Sequence, residues 1–134
     1  MESLIFVAAN GSRAQLERLT QLLVTAFPGS TIYQHPDLLH VLHDVLNNRV
    51  DAVFLEATEK THTLDLIQML HRQKPDLPVF MISHANHRFE KDVETSVSGC
   101  FVLPDGEQQL LDAVRLSKEK RMHPQSRTAE SIKL

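Results

Sequence analysis

The chain has 134 residues, 42% of them hydrophobic, with a net charge of −3, no Trp and one cysteine, Cys100. That length suits one domain with one mainly aliphatic core, and a single thiol excludes an internal disulfide and fits a reducing cytoplasm. Residues 1–117 carry nine basic and fifteen acidic groups, net −6, whereas residues 118–134 carry five and two, net +3. The acidic body excludes direct nucleic-acid binding by the domain itself, and the basic stretch reads as a solvated tail or linker.

No apolar run approaches the ~18–20 residues that span a membrane. Met1-Glu2-Ser3 opens straight onto Leu4–Ala9, an uninterrupted apolar run that predicts a strand, so no signal peptide is expected. Asn10-Gly11 turns the chain. Ser12 then caps a helix, with Gln15 in capping-box position and Leu16, Leu19, Leu22, Leu23 and Ala26 as its apolar stripe. Phe27-Pro28-Gly29 stops it. Thr31–Gln34 predicts a short, edge-like strand. Pro36 and Asp37 open a second helix with Leu38, Leu42, Val45 and Leu46 expected inward.

Val50–Glu56 is the central strand, apolar on both faces as parallel sheets require and ending in one carboxylate. A polar loop leads to a third helix carrying Leu64, Ile67 and Leu70. Pro78–Ser83 predicts a fourth strand, ending in a hydroxyl. A weak helix is expected around His87 to Ser96, held by Phe89 and Val93. Gly99–Leu103 is the fifth strand, and a last helix uses Leu110, Leu111 and Val114. After Lys118 the periodicity fades, which divides the chain into a domain at 1–117 and a polar tail at 118–134. Five β-α units with short right-handed crossovers predict an α/β fold: a doubly wound, five-stranded parallel sheet in the order 2-1-3-4-5.

Over residues 4–117 the chain resembles a response-regulator receiver domain, CheY-like in architecture. The resemblance rests on three stretches, Asp51–Glu56, Pro75–Ser83 and Gly99–Pro104, and on the spacing among them. It implies a site at the carboxyl ends of the strands and a chemistry of Mg²⁺-assisted phosphoryl transfer to an aspartate. Measured against the family, the acid pair after the first strand is replaced by Ala8, Ala9 and Asn10. Two methyl groups and an amide do not supply the hard oxygen ligands that Mg²⁺ needs. The phosphoacceptor position holds Glu56, one methylene too long for an aspartate's geometry. The sensing hydroxyl matches Ser83 and is kept. The lysine position holds Leu103, which carries no cation to neutralise phosphate. The aromatic switch position holds Cys100. The resemblance is therefore to a pseudo-receiver, with no catalytic residue and no cofactor.

Glu56 admits two readings, a built-in mimic of the phosphorylated state or a solvated carboxylate at the loop edge. The second is favoured, since Leu103 leaves little for a mimic to act on. Ser83 either bonds Glu56 or caps the next turn. His62, His84 and His87 fall in loops that converge on one face, where three imidazoles would suit Zn²⁺, and His40 and His43 stand i, i+3 on the second helix. Exposed or hydrogen-bonded histidines are the commoner case, and no metal is expected. Cys100 reads as a buried, inert thiol.

The expected function is a phosphorylation-independent, protein-binding signalling module. In receivers the surface that binds partners and forms dimers corresponds here to Phe89–Leu116. The alternatives are the N-terminal regulatory domain of a DNA-binding transcriptional regulator and a residual phosphoacceptor or metal site. The central strand also resembles receivers that precede LytTR-type DNA-binding domains.

Overall fold

The computed structural model describes residues 4–9, 12–35, 39–56, 62–83, 89 and 91–122. Five strands alternate with five helices: β1 (Ile5–Ala9), α1 (Arg13–Ala26), β2 (Thr31–His35), α2 (Leu39–Asn47), β3 (Ala52–Glu56), α3 (His62–Gln73), β4 (Val79–Ser83), α4 (Lys91–Ser96), β5 (Gly99–Val102) and α5 (Glu107–Met122). The strands form one sheet in the order β2-β1-β3-β4-β5, and every neighbouring pair is parallel. This is the doubly wound order that the strand and helix pattern predicts.

Side chains alternate across a strand, so β1, β3 and β4 divide their apolar residues between two cores. Phe6, Ala8, Ala52, Phe54, Phe80 and Ile82 join Leu16, Leu19 and Leu23 of α1 and Leu110, Leu111 and Val114 of α5. Val7, Ala9, Val53, Leu55, Val79 and Met81 join Val41 and Val45 of α2, Leu66, Ile67 and Leu70 of α3, and Val93 of α4. A file of aromatic rings crosses the first core. Phe27, Phe6, Phe54, Phe80 and Phe101 follow one another with centroids 5.7, 5.5, 5.5 and 6.1 Å apart. The first two pairs meet edge to face, Phe54 and Phe80 stack, and Phe80 and Phe101 are tilted; their buried area knits four strands and the end of α1 together.

Local signals set the element ends. Ser12 Oγ accepts from the Gln15 N–H and Gln15 Oε1 accepts from the Ser12 N–H, both at 3.2 Å, which completes the capping box at α1. The Phe27 N–H donates to the Leu23 carbonyl at 2.8 Å to close that helix. Gly29 then turns the chain with φ +86°, a conformation that favours glycine. At the β5–α5 turn the Gly106 N–H donates to the Val102 carbonyl at 2.7 Å, and a Cβ there would stand 2.8 Å from that oxygen.

Some expected packing is different. In α2 the core positions are Val41 and Val45, while Leu46 is 48% exposed and Leu42 only partly buried. Leu38 lies outside the described residues. The expected stripe was rotated because the apolar residues after Leu39 come as two adjacent pairs, Val41-Leu42 and Val45-Leu46, and periodicity alone does not say which edge of a broad stripe meets the sheet. Leu66 joins the α3 core and Leu64 is only partly buried. The fourth helix is described only over Lys91–Ser96, and α5 runs on to Met122, beyond Lys118.

Candidate functional site

The carboxyl ends of the strands form one rim of the sheet, where open α/β folds bind ligands. Ala9 ends β1, Glu56 ends β3, Ser83 ends β4 and Val102 ends β5. Glu56 is in register with Ile82, and Ser83 with Val102. Glu56 and Ser83 therefore sit one residue out of step on adjacent strands, with Cα atoms about 6 Å apart from the strand spacing and rise. Alternation from Phe54 and from Met81 sends the two side chains toward opposite faces of the sheet.

Glu56 is 4% exposed, and so is Ser83. The solvated carboxylate expected at the loop edge is thus corrected: the strand end is covered, and Glu56 is a buried acid. Both residues have interaction partners, as a buried carboxylate and hydroxyl must to offset desolvation. Sequence periodicity missed this burial because it sees a strand's faces and not what closes over its end.

Ala8 and Ala9 are fully buried, one in each core. Leu103 is 4% exposed and belongs to the α1/α5 core, bordering Leu19, Leu22 and Pro104. Its N–H donates to the Ser83 carbonyl at 2.7 Å, and its peptide bond to Pro104 is cis. Among the described residues the ends of β1, β3, β4 and β5 offer one carboxylate and one hydroxyl beside the methyl groups of Ala8, Ala9 and Leu103. Such a donor set does not fit Mg²⁺, which wants several hard oxygen ligands. Asn10 and the loop at 57–61 lie outside the described residues.

Cys100 is half-buried on β5, against the second core. Burial, with a smaller contribution from the Glu94 carboxylate, pushes its thiol up to about 11. That makes it a poor nucleophile at neutral pH. Thr63, in the first turn of α3, is buried with no hydrogen-bond partner for its Oγ1 among the described residues.

The histidines divide differently from the expected metal grouping. His84 and His87, and the side chain of His62, lie outside the described residues. His40 stacks on His35, with ring centroids 5.4 Å apart. His35 Nε2 meets Asp44 Oδ2, and His43 Nδ1 lies 3.9 Å from Asp44 Oδ1. This cluster fastens the end of β2 onto α2. Among the described residues no group of three or more His, Cys, Asp and Glu is arranged to hold a metal ion.

One polar residue that sequence reading left unassigned is structural. Asp51, just before β3, accepts the Ile5 N–H at 2.8 Å through Oδ2, and its own N–H donates to the Ile5 carbonyl at 2.7 Å. Arg49 lies 3.3 Å from the same oxygen. The contact joins residues 46 apart in the chain, so no local pattern announces it.

These features define a doubly wound (βα)5 domain of the CheY-like fold. No protein-family model matches the chain, and no curated protein matches it. Solved structures do. The signal receiver domain of an HD domain-containing protein from Pseudomonas fluorescens Pf-5 is 19% identical, covers 90% of this chain and 98% of its own, and superposes with a TM-score of 0.74. A CheY-like response regulator receiver domain protein from Methanospirillum hungatei JF-1 is 12% identical over 91% and 99%, at 0.74. A LuxR family DNA-binding response regulator from Silicibacter pomeroyi is 23% identical over 87% and 93%, at 0.65. At these identities the likeness is one of fold. Within the described residues no helix is long and apolar enough to cross a membrane.

Proposed function

We propose that this chain is an atypical receiver domain of signal transduction, a pseudo-receiver that works as a phosphorylation-independent protein-interaction module. The reading rests on the rim. Ala8 and Ala9 stand fully buried where an acid pair would hold a metal, and Leu103 is buried in the core where a lysine would meet a phosphoryl group. A site with neither charge lacks the electrostatic stabilisation that phosphoryl transfer requires. The reading assigns no catalytic step, cofactor or metal to the chain. Glu56 and Ser83 serve as buried polar anchors of the strand ends. Signalling then passes through the α4–β5–α5 surface at Phe89–Leu116, in a cytoplasmic setting.

Amide NMR spectra with and without Mg²⁺ and a beryllofluoride phosphoryl mimic test this. Unchanged resonances for Glu56, Ser83 and Leu103 are expected. Saturable shifts at those three residues would overturn the reading and revive a residual phosphoacceptor site.

A second reading has its own support. The LuxR family neighbour is a DNA-binding response regulator, and the net +3 of residues 118–134 follows an acidic body. In that reading residues 1–117 are the regulatory domain and the basic stretch leads to a DNA-binding region. A coding sequence that continues past residue 134 into a helix-turn-helix or LytTR-type domain supports it. Tight DNA binding by the 134-residue chain alone would contradict it.

A further inference from the structure

β2 stands at one end of the sheet, and its outer edge has no neighbouring strand. The Thr31 N–H donates to the Leu4 carbonyl at 2.9 Å, and β2 runs parallel to β1 in unbroken register from Thr31 to His35. In a parallel ladder alternate residues turn both backbone groups to the same neighbour. Thr31, Tyr33 and His35 therefore turn theirs to β1, while Ile32 and Gln34 each present an N–H and a carbonyl to the outer edge. Among the described residues these four groups have no backbone partner.

Protein edges are commonly blunted by charge, proline, a bulge or a covering element. β2 reads Thr-Ile-Tyr-Gln-His and holds no Lys, Arg, Asp, Glu or Pro. On the α1 side, where Gln34 Nε2 donates to Thr20 Oγ1 at 2.7 Å, an open groove of about 470 Å³ runs beside the strand, with Glu17 and Arg18 in its wall. On the α2 side, which His35 shares through Asp44, Tyr33 is 40% exposed. The charge of the body is also uneven. Residues 1–50, which form β1, α1, β2 and α2, carry three Lys/Arg and four Asp/Glu, net −1, whereas residues 51–117 carry six and eleven, net −5. Two acidic bodies therefore meet with least repulsion at the β2 end.

We propose that the occupant of this edge is β2 of a second copy, antiparallel to the first across a two-fold axis at Tyr33, so that two five-stranded sheets join into one. In that register the Ile32 N–H donates to the second copy's Gln34 carbonyl and the Gln34 N–H to its Ile32 carbonyl, and symmetry repeats both bonds. A register shifted by two residues loses bonds, because the Ser30 N–H is already held by the Phe27 carbonyl and Pro36 has no N–H. The two Tyr33 residues form the close pair of the ladder, with Cα atoms about 4.5 Å apart and both rings on the α2 side. An isologous contact of this kind closes at a dimer. The α4–β5–α5 surfaces are left at the two far ends of the joined sheet, so the inference goes beyond the interaction-module reading and does not depend on it.

The test uses the full chain. Light scattering and sedimentation from micromolar to millimolar concentration should give a monomer–dimer equilibrium that added salt does not weaken, since screening relieves the repulsion between acidic bodies. Gln34→Pro removes an outward N–H and should weaken dimerisation at least tenfold, whereas Gln34→Ala keeps that N–H and should weaken it less than threefold. Tyr33→Lys should also weaken it at least tenfold, and mixing Tyr33→Lys with Tyr33→Glu should restore a mixed dimer. In a Cys100→Ser background, mild oxidation should crosslink Tyr33→Cys to itself readily. Thr31→Cys, with Cα atoms roughly 13 Å apart across the axis, should crosslink at least tenfold more slowly. Circular dichroism melts confirm that these edge variants fold. A monomer at every concentration would overturn the proposal and leave the edge to a strand of some other protein. A dimer indifferent to Gln34→Pro, or faster crosslinking at Thr31→Cys, would overturn it by placing the contact elsewhere.

Discussion

Replacing Asp51 by alanine should destabilise the fold by about 2–3 kcal/mol. The carboxylate accepts the Ile5 N–H at 2.8 Å, at the first residue of β1, and its side chain is only 21% exposed. A hydrogen bond to a charged group is worth roughly 1.5–3 kcal/mol, because the donor left behind stays unsatisfied. The Arg49 contact at 3.3 Å adds little, since Arg49 is half exposed and such pairs contribute about 0–1 kcal/mol. Two controls divide the effect. Asp51→Asn keeps an acceptor and should cost less than half as much, and Arg49→Ala should cost under about 1 kcal/mol. Urea denaturation reads all three as shifts in midpoint at constant slope. For a domain of this size the alanine variant should melt roughly 6–10 °C lower. A loss under about 0.5 kcal/mol, or equal losses for alanine and asparagine, would refute the assignment of Asp51 as the tie between β1 and β3.

Further outcomes follow from burial and hydrogen bonding. With its thiol raised from 9.0 to about 11, Cys100 should react with iodoacetamide at pH 8 roughly 100-fold more slowly than an ordinary thiol. Its rate should climb about tenfold per pH unit up to pH ~11, and a plateau near pH 9 would contradict a thiol raised by burial. Thr63→Val keeps the shape and removes an unpartnered buried hydroxyl, so it should stabilise by about 1 kcal/mol; a loss of similar size in thermal melts would show that the hydroxyl has a partner. Val41→Ala should cost roughly 1.5–3 kcal/mol, whereas Leu46→Gln should change stability by under about 0.5 kcal/mol. Equal losses would restore Leu46 to the core.

The fold was legible because its signals are local and repeated. Apolar runs such as Val53–Leu55 and Val79–Ile82 name strands covered on both faces. The Ser12–Gln15 box names the start of a helix. Five such units, with short connections, leave few topologies. The position of the candidate site, though not its role, was legible for another reason. The resemblance to receivers singles out Ala8, Ala9, Glu56, Ser83 and Leu103, and the strand order brings the ends of β1, β3, β4 and β5 to one rim.

What the chain pattern did not determine is everything that depends on a distant neighbour. Glu56 is buried in the folded chain, 4% exposed, and no property of Leu55-Glu56 foretells that. Asp51 reaches Ile5 across 46 residues, and His35 reaches Asp44 only once α2 lies against β2. Which edge of the α2 stripe meets the sheet is likewise settled by docking, which prefers Val41 to Leu46. Side-chain period and turn chemistry act over a few residues, so the sequence by itself determined the elements and their order. Burial, polar partners and the face each helix presents depend on contacts between elements, and the tertiary structure alone decided those.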